Sequence, residues 1–168
     1  MILTKDEFIS ALRREIRIVL HLASKAEPAM LAYRPTPKQR SLLELLQYFT
    51  IVGPIHMRGA LRDKFDMDAW RADWRTNEPA AAALSFEQTK DAIAQLAAQF
   101  EAMLAPCTDA DLRAPIEMFS HTASRGSFLL SLVLSHYTAY RMQLFLYLKS
   151  AGREELNTLN LWVGVDPR

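Results

Sequence analysis

Apolar residues recur at helical spacing in four long stretches of the chain, and most of these stretches open on a polar start signal. The first follows Thr4-x-x-Glu7, a capping box, and carries Phe8, Leu12, Ile16, Val19 and Leu20 on one stripe with Arg13, Arg14 and Arg17 off it, which predicts a helix over about Lys5 to Lys25. Pro28, Pro35 and Pro37 break the chain before Ser41-x-x-Glu44 opens a second helix bearing Leu42, Leu45, Leu46, Phe49, Ile51 and Val52. Gly53-Pro54 lies inside that helix, where the proline removes one backbone donor and tends to bend the axis. Ser85-x-x-Gln88 opens a third helix through Ile93, Leu96, Phe100 and Leu104, and a fourth is expected over about Arg125 to Ser150, stopped by Gly152.

Between these stretches the periodicity weakens. Arg62 to Ala83 reads as a connection with at most a short helical turn, in which Trp70 and Trp74, four apart, form either a lid or an aromatic plug. Ala105 to Ser124 reads as irregular, and Glu154 to Arg168 as an extended tail anchored by Leu161 and Trp162. Four long helices and no run of alternating strands predict an all-α domain over residues 1–168, a four-helix bundle whose helix order periodicity alone leaves open.

The fourth helix carries polar groups where a core is expected. His136, Tyr140 and Gln143 are spaced four and then three apart, which puts them within about 40° of one another on one helix face, with Arg141 turned toward a neighbouring face. These side chains also argue against a membrane span across Phe128 to Leu148, because strongly polar groups at mid-span cost several kcal/mol. The 20 Lys plus Arg nearly cancel the 19 Asp plus Glu, so no field gathers nucleic acid or an anionic membrane. Cys107 is the only cysteine, excluding a disulfide framework, and charges from Lys5 to Arg14 interrupt any secretory signal; a cytoplasmic location is expected. His21 reads as part of helix one, His56 and His121 as surface or rim residues, and Arg125-Gly126 as a cap or salt bridge, with an anion-binding helix start as the alternative.

Two segments, Arg40 to Phe49 and Arg125 to Leu144, together with the lead-in at Pro35 to Gln39 and the tail Asn160 to Pro167, resemble the signature segments of the DinB-like, or YfiT-like, metalloenzyme family. That resemblance implies a four-helix bundle in up-down-down-up order, a homodimer, and a divalent metal held by one histidine from the second helix and two from the fourth. Those three positions are Tyr48, His136 and Tyr140 here, so one imidazole of three survives. A phenol with an ordinary pKa near 10 must lose its proton to ligate well, so no bound cofactor is expected, with zinc or nickel as the lesser alternative.

The first expectation for function is a small-molecule pocket centred on Tyr48, His136 and Tyr140, lined by Gln143 and Arg141. If it is catalytic, His136 would be the general base and a tyrosine would orient the substrate, in a relative of thiol-dependent transferases or isomerases. The alternatives are a noncatalytic dimeric binding or stress-associated module, and a metal-dependent enzyme using ligands other than the family's.

Overall fold

The computed structural model describes residues 3–167; Arg168, assigned above to the tail, lies outside them. Helix α1 spans Lys5–Ala23, α2 Leu42–Leu61, α3 Met67–Ala82 and α4 Phe86–Leu104. A short α5, Asp109–Arg113, precedes a hairpin of β1, Pro115–Met118, and β2, His121–Ser124. Then come α6, Arg125–Leu129, α7, Ser135–Ser150, and α8, Thr158–Trp162. Between α6 and α7 the residues Leu130–Leu134 form a π-helical turn, and the flanking Leu130 and Leu134 keep right-handed helical dihedrals, so Arg125 to Ser150 runs as one continuous rod.

The three capping boxes form as expected, with the Thr4, Ser41 and Ser85 hydroxyls accepting from the Glu7, Glu44 and Gln88 amides. The principal helix pairings are α2 with α3, which lays α3 on the outside, and a ring of four, α1 with α4, α4 with α2, α2 with α7 and α7 with α1. Phe8, Leu12, Ile16, Leu46, Phe49, Phe100, Tyr137 and Leu144 bury the core between them. Among the described residues no helix is long and apolar enough to cross a membrane.

Three connections differ from expectation. The stretch from Arg62 to Ala83 contains the 16-residue helix α3. Its N-cap, Asp66, accepts from the Asp68 and Ala69 amides, and Ala81 is its one fully buried residue. A helix that covers so narrow a strip leaves little apolar periodicity in its sequence. The tail holds α8, capped by Asn157, where an extended segment was expected. The stretch from Ala105 to Ser124 holds α5 and the hairpin, whose two-residue turn places Phe119 (φ 52°) and Ser120 (φ 60°) in the left-handed region. Such turns favour Asn-Gly, and two L side chains there are strained by roughly 1–2 kcal/mol each. Phe119 packs against Phe65 and Trp70, with ring centroids at 4.8 and 5.3 Å, and this packing opposes the strain.

Arg125 closes the end of α2. Its guanidinium donates to the Ala60 carbonyl at 2.8 Å, to the Asp63 carbonyl at 3.2 Å and to the Arg62 carbonyl, so it caps the C-terminal end of α2.

The Tyr137 hydroxyl of α7 donates to the Phe49 carbonyl of α2 at 2.8 Å, beside Gly53. A Cβ on Gly53 would lie 2.6 Å from Phe100 and Tyr137 side-chain atoms. Gly53→Ala should therefore destabilise the fold by about 2 kcal/mol in urea unfolding despite alanine's better helix propensity. A neutral or stabilising result would show that the α2, α4 and α7 packing has slack.

Candidate functional site

On α2, Leu45, Leu46, Phe49, Ile51, Val52, Ile55, His56 and Met57 are all buried, so nearly every direction around this helix meets protein. Tyr48 and His56 consequently both face other elements. Tyr48 meets Tyr140 of α7 edge-on, with centroids at 5.1 Å, and stacks on Trp74 of α3 at 5.8 Å. His56 stacks on His136 of α7 at 5.1 Å and meets Trp70 and Trp74 at 5.8 and 5.9 Å. His136 and Tyr140, one turn apart, stack at 5.8 Å. The pairing of Tyr48 with Tyr140 and of His56 with His136 means that α2 and α7 run antiparallel here. The result is a continuous aromatic cluster in which the two indoles of α3 lie against Tyr48 and His56, and these in turn against Tyr140 and His136.

Tyr48, His136 and Tyr140 are thus brought to one place. His56 joins them; it is 7% exposed, where a rim residue was expected. The signal was present in the sequence, because the helix around it is apolar on all sides, and such a helix is buried whatever its polar members. Arg141 does not line the cluster. It is 1% exposed and pairs with Glu15 of α1 at 3.3 Å, with its guanidinium 4.8 Å from the Trp162 ring centroid. Adjacent helix residues are turned about 100° apart, which carries Arg141 from the Tyr140 face to the α1 face. Gln143 donates its amide to the Tyr147 hydroxyl at 2.6 Å.

The polar chemistry of the cluster is unusual in one respect. His56 Nδ1, Trp70 Nε1 and Trp74 Nε1 are buried without a hydrogen-bond partner, and His136 Nδ1 makes no well-formed hydrogen bond although the Leu132 and Ser131 carbonyls lie near its ring. Burial, and then the neighbouring His136, hold the His56 imidazole down at a pKa of about 4. Burial also lowers His136, while the Leu132 and Ser131 carbonyls favour its charged form. Those carbonyls belong to the π-helical turn, a feature often found at functional sites because it frees backbone groups beside a side chain. At neutral pH the cluster therefore offers neutral imidazoles, able to accept or relay a proton, and indole N–H donors.

A divalent metal fits these donors poorly. Burial, and then Tyr140, push the Tyr48 phenol well above its usual range, which opposes the phenolate a metal requires. Among the described residues, no three of His, Cys, Asp and Glu gather at one point.

Beside Tyr48, between α2 and the C-terminal half of α3, lies an open cavity of about 300 Å³ that includes Arg40, Gln47, Ile51, Glu78 and Ala81 in its walls. Arg40 lays its guanidinium over the Tyr48 ring at 3.9 Å.

No family model matches the chain, and no curated protein matches it. Solved structures do. A DinB-like protein from Bacillus cereus superposes with a TM-score of 0.69 at 18% identity, over 90% of this chain and 95% of its own. A DinB-like protein from Bacillus subtilis gives a TM-score of 0.69 at 15% identity, over 89% and 94%. The chain has the fold of the DinB-like proteins.

Proposed function

We propose that this protein binds a small molecule at the Tyr48–Tyr140–His136–His56 cluster, beneath the indoles of α3, and does so without a divalent metal. The reading takes α1, α2, α4 and the α6–α7 rod as a four-helix bundle in up-down-down-up order, a view supported by the ring of four helix pairings. The observation that carries the ligand site is the set of buried nitrogens without a partner, His56 Nδ1, Trp70 Nε1 and Trp74 Nε1. Each buried polar group left without a partner costs about 1–3 kcal/mol, so a purely packed centre would be better served by apolar rings. In a reaction His136 would act as general base and Tyr140 would orient the substrate. The family resemblance makes transfer or isomerisation with a low-molecular-weight thiol the nearest chemistry.

A thermal-shift screen of low-molecular-weight thiols and small carboxylates, run on the native chain and on His136→Ala, tests this. A ligand at a hundredfold excess over its Kd stabilises by about 2.7 kcal/mol, roughly 5–10 °C for a chain of this size. The expected result is at least one such shift that His136→Ala abolishes. Shifts of equal size in both proteins, or none at all, would contradict the reading.

A second reading, a noncatalytic dimeric module, is favoured by the outer face of α7 and the turn before it. Ser131, Ser135, Ala139, Met142 and Leu146 follow one another on that face, all are exposed and none is charged, with Leu146 at 53%. Apolar side chains on an uncharged helix face suit a self-complementary contact. Sedimentation should give a dimer for the native chain and a monomer for Leu146→Lys; a monomeric native chain would remove this reading.

A further inference from the structure

The cavity beside Tyr48 carries charges of both signs, and two of them stand outside any ion pair among the described residues. Three charged side chains line it: Arg40, Glu44 and Glu78. Glu44 is committed, accepting from the Ser41 amide at 2.7 Å and from Arg34 at 3.0 Å. Among the described residues, neither Arg40 nor Glu78 belongs to an ion pair. Both act on the same neighbour, since the Arg40 charge favours the ionised Tyr48 phenol and the Glu78 charge opposes it.

The rest of the cavity is apolar or already bonded. Ile51, Ala81 and the Tyr48 ring form its apolar surfaces, and the Gln47 amide is occupied by the Ala82 and Leu84 carbonyls at 3.2 and 2.8 Å. Stacking on Tyr48 restricts the long Arg40 side chain, so part of the entropy lost on gripping a carboxylate is already gone.

We infer that this cavity binds a free α-amino acid with an apolar side chain, its carboxylate on Arg40 and its ammonium on Glu78. An anion alone would meet Arg40 but also the unpaired Glu78, and a cation alone would meet the reverse; a zwitterion satisfies both. The cavity volume of about 300 Å³ lies at the small end of ligand sites, suited to a molecule of this size. The inference deepens the proposed function, because Tyr48 is the wall shared with the imidazole cluster.

The test uses the full chain and three probes at millimolar concentration, followed by titration calorimetry and by amide chemical shifts around Tyr48. The probes are L-methionine, N-acetyl-L-methionine, which has lost its ammonium, and L-methionine methyl ester, which has lost its carboxylate. L-methionine should bind, and each blocked form should bind at least about tenfold more weakly. Arg40→Gln should weaken methionine by a similar factor without affecting the methyl ester. Glu78→Gln should weaken methionine without affecting the N-acetyl form. Both side chains are exposed, so neither substitution threatens the fold.

Equal affinities for all three probes, or no saturable binding of methionine, would overturn the inference. Either result alongside a thermal-shift hit that depends on His136 would overturn the inference alone. The charge pattern appearing intact in a protein whose cluster gives no His136-dependent hit would support this site and remove the cluster reading.

Discussion

Arg141→Ala is expected to destabilise the protein by roughly 3–5 kcal/mol, a large share of the stability of an ordinary domain. Arg141 and Glu15 are 1% and 6% exposed and meet at 3.3 Å, so removing the guanidinium strands a carboxylate inside the protein. The pair is imperfect even when intact, because Glu15 Oε2 and Arg141 Nε have no hydrogen-bond partner. Burial pushes the Glu15 carboxyl above its ordinary range and Arg141 is the main group that pulls it back; without Arg141 only the weaker effects of Arg14 and Thr138 oppose the rise.

The sign of the pH response follows. A carboxyl whose pKa is raised by folding holds its proton better in the folded state, so stability is greatest below the unfolded-state value near 4.5 and is lost as pH rises above it. Arg141→Ala should therefore be more stable at pH 4 than at pH 7 relative to the native chain. Replacing both members with apolar residues, Glu15→Leu with Arg141→Met, should recover most of the loss. Urea unfolding checks all three. If the single and double variants are equally destabilised, packing around the pair rather than the stranded charge dominates.

The second large effect is acid lability centred on His56. The unfolded chain protonates this imidazole near pH 6.5, whereas the folded protein resists until about pH 4. A group with a depressed folded-state pKa binds fewer protons when folded, so stability is lost as pH falls from 6.5 toward 4, by up to about 3 kcal/mol at the lower end. His136 is lowered as well and adds in the same direction. His56→Phe keeps an aromatic ring beside Trp70 and His136 but cannot ionise, so its stability should depend much less steeply on pH in this window. Equal slopes for native and variant would mean that His56 reaches solvent and protonates without cost.

The long helices were legible because their starts use side chains with defined partners: Thr4, Ser41 and Ser85 announce themselves through the residue three positions on. Helix α3 lacks that signature, since Asp66 is followed at the third position by Ala69 rather than by Glu or Gln, and its two indoles resemble loop plugs when read alone. The hairpin was hidden for a related reason, its Phe119-Ser120 tip having none of the residues that left-handed turns favour.

At the cluster, resemblance pointed to Tyr48, His136 and Tyr140, and their rings do meet. His56 follows Tyr48 by eight residues, a helical offset of about 80° that suggests a rim position, but burial all round α2 brings it into the cluster as well. Arg141 does lie on the neighbouring helix face its position predicts, but that face meets Glu15 of α1 and not the pocket it was expected to line. The partners of the indoles are a matter of tertiary packing, which α3 settles only once it is known to be a helix.

The most direct test of the metal-free ligand site reads the histidine rings themselves. Long-range proton–nitrogen correlation of the imidazoles at neutral pH, before and after one equivalent of zinc and then of a thermal-shift ligand, separates neutral, protonated and metal-bound nitrogens. Neutral His56 and His136 rings that zinc leaves unchanged and that the ligand shifts are the expected result. Stoichiometric ligation of zinc by His136, or a ligand that leaves both rings unmoved, would contradict it.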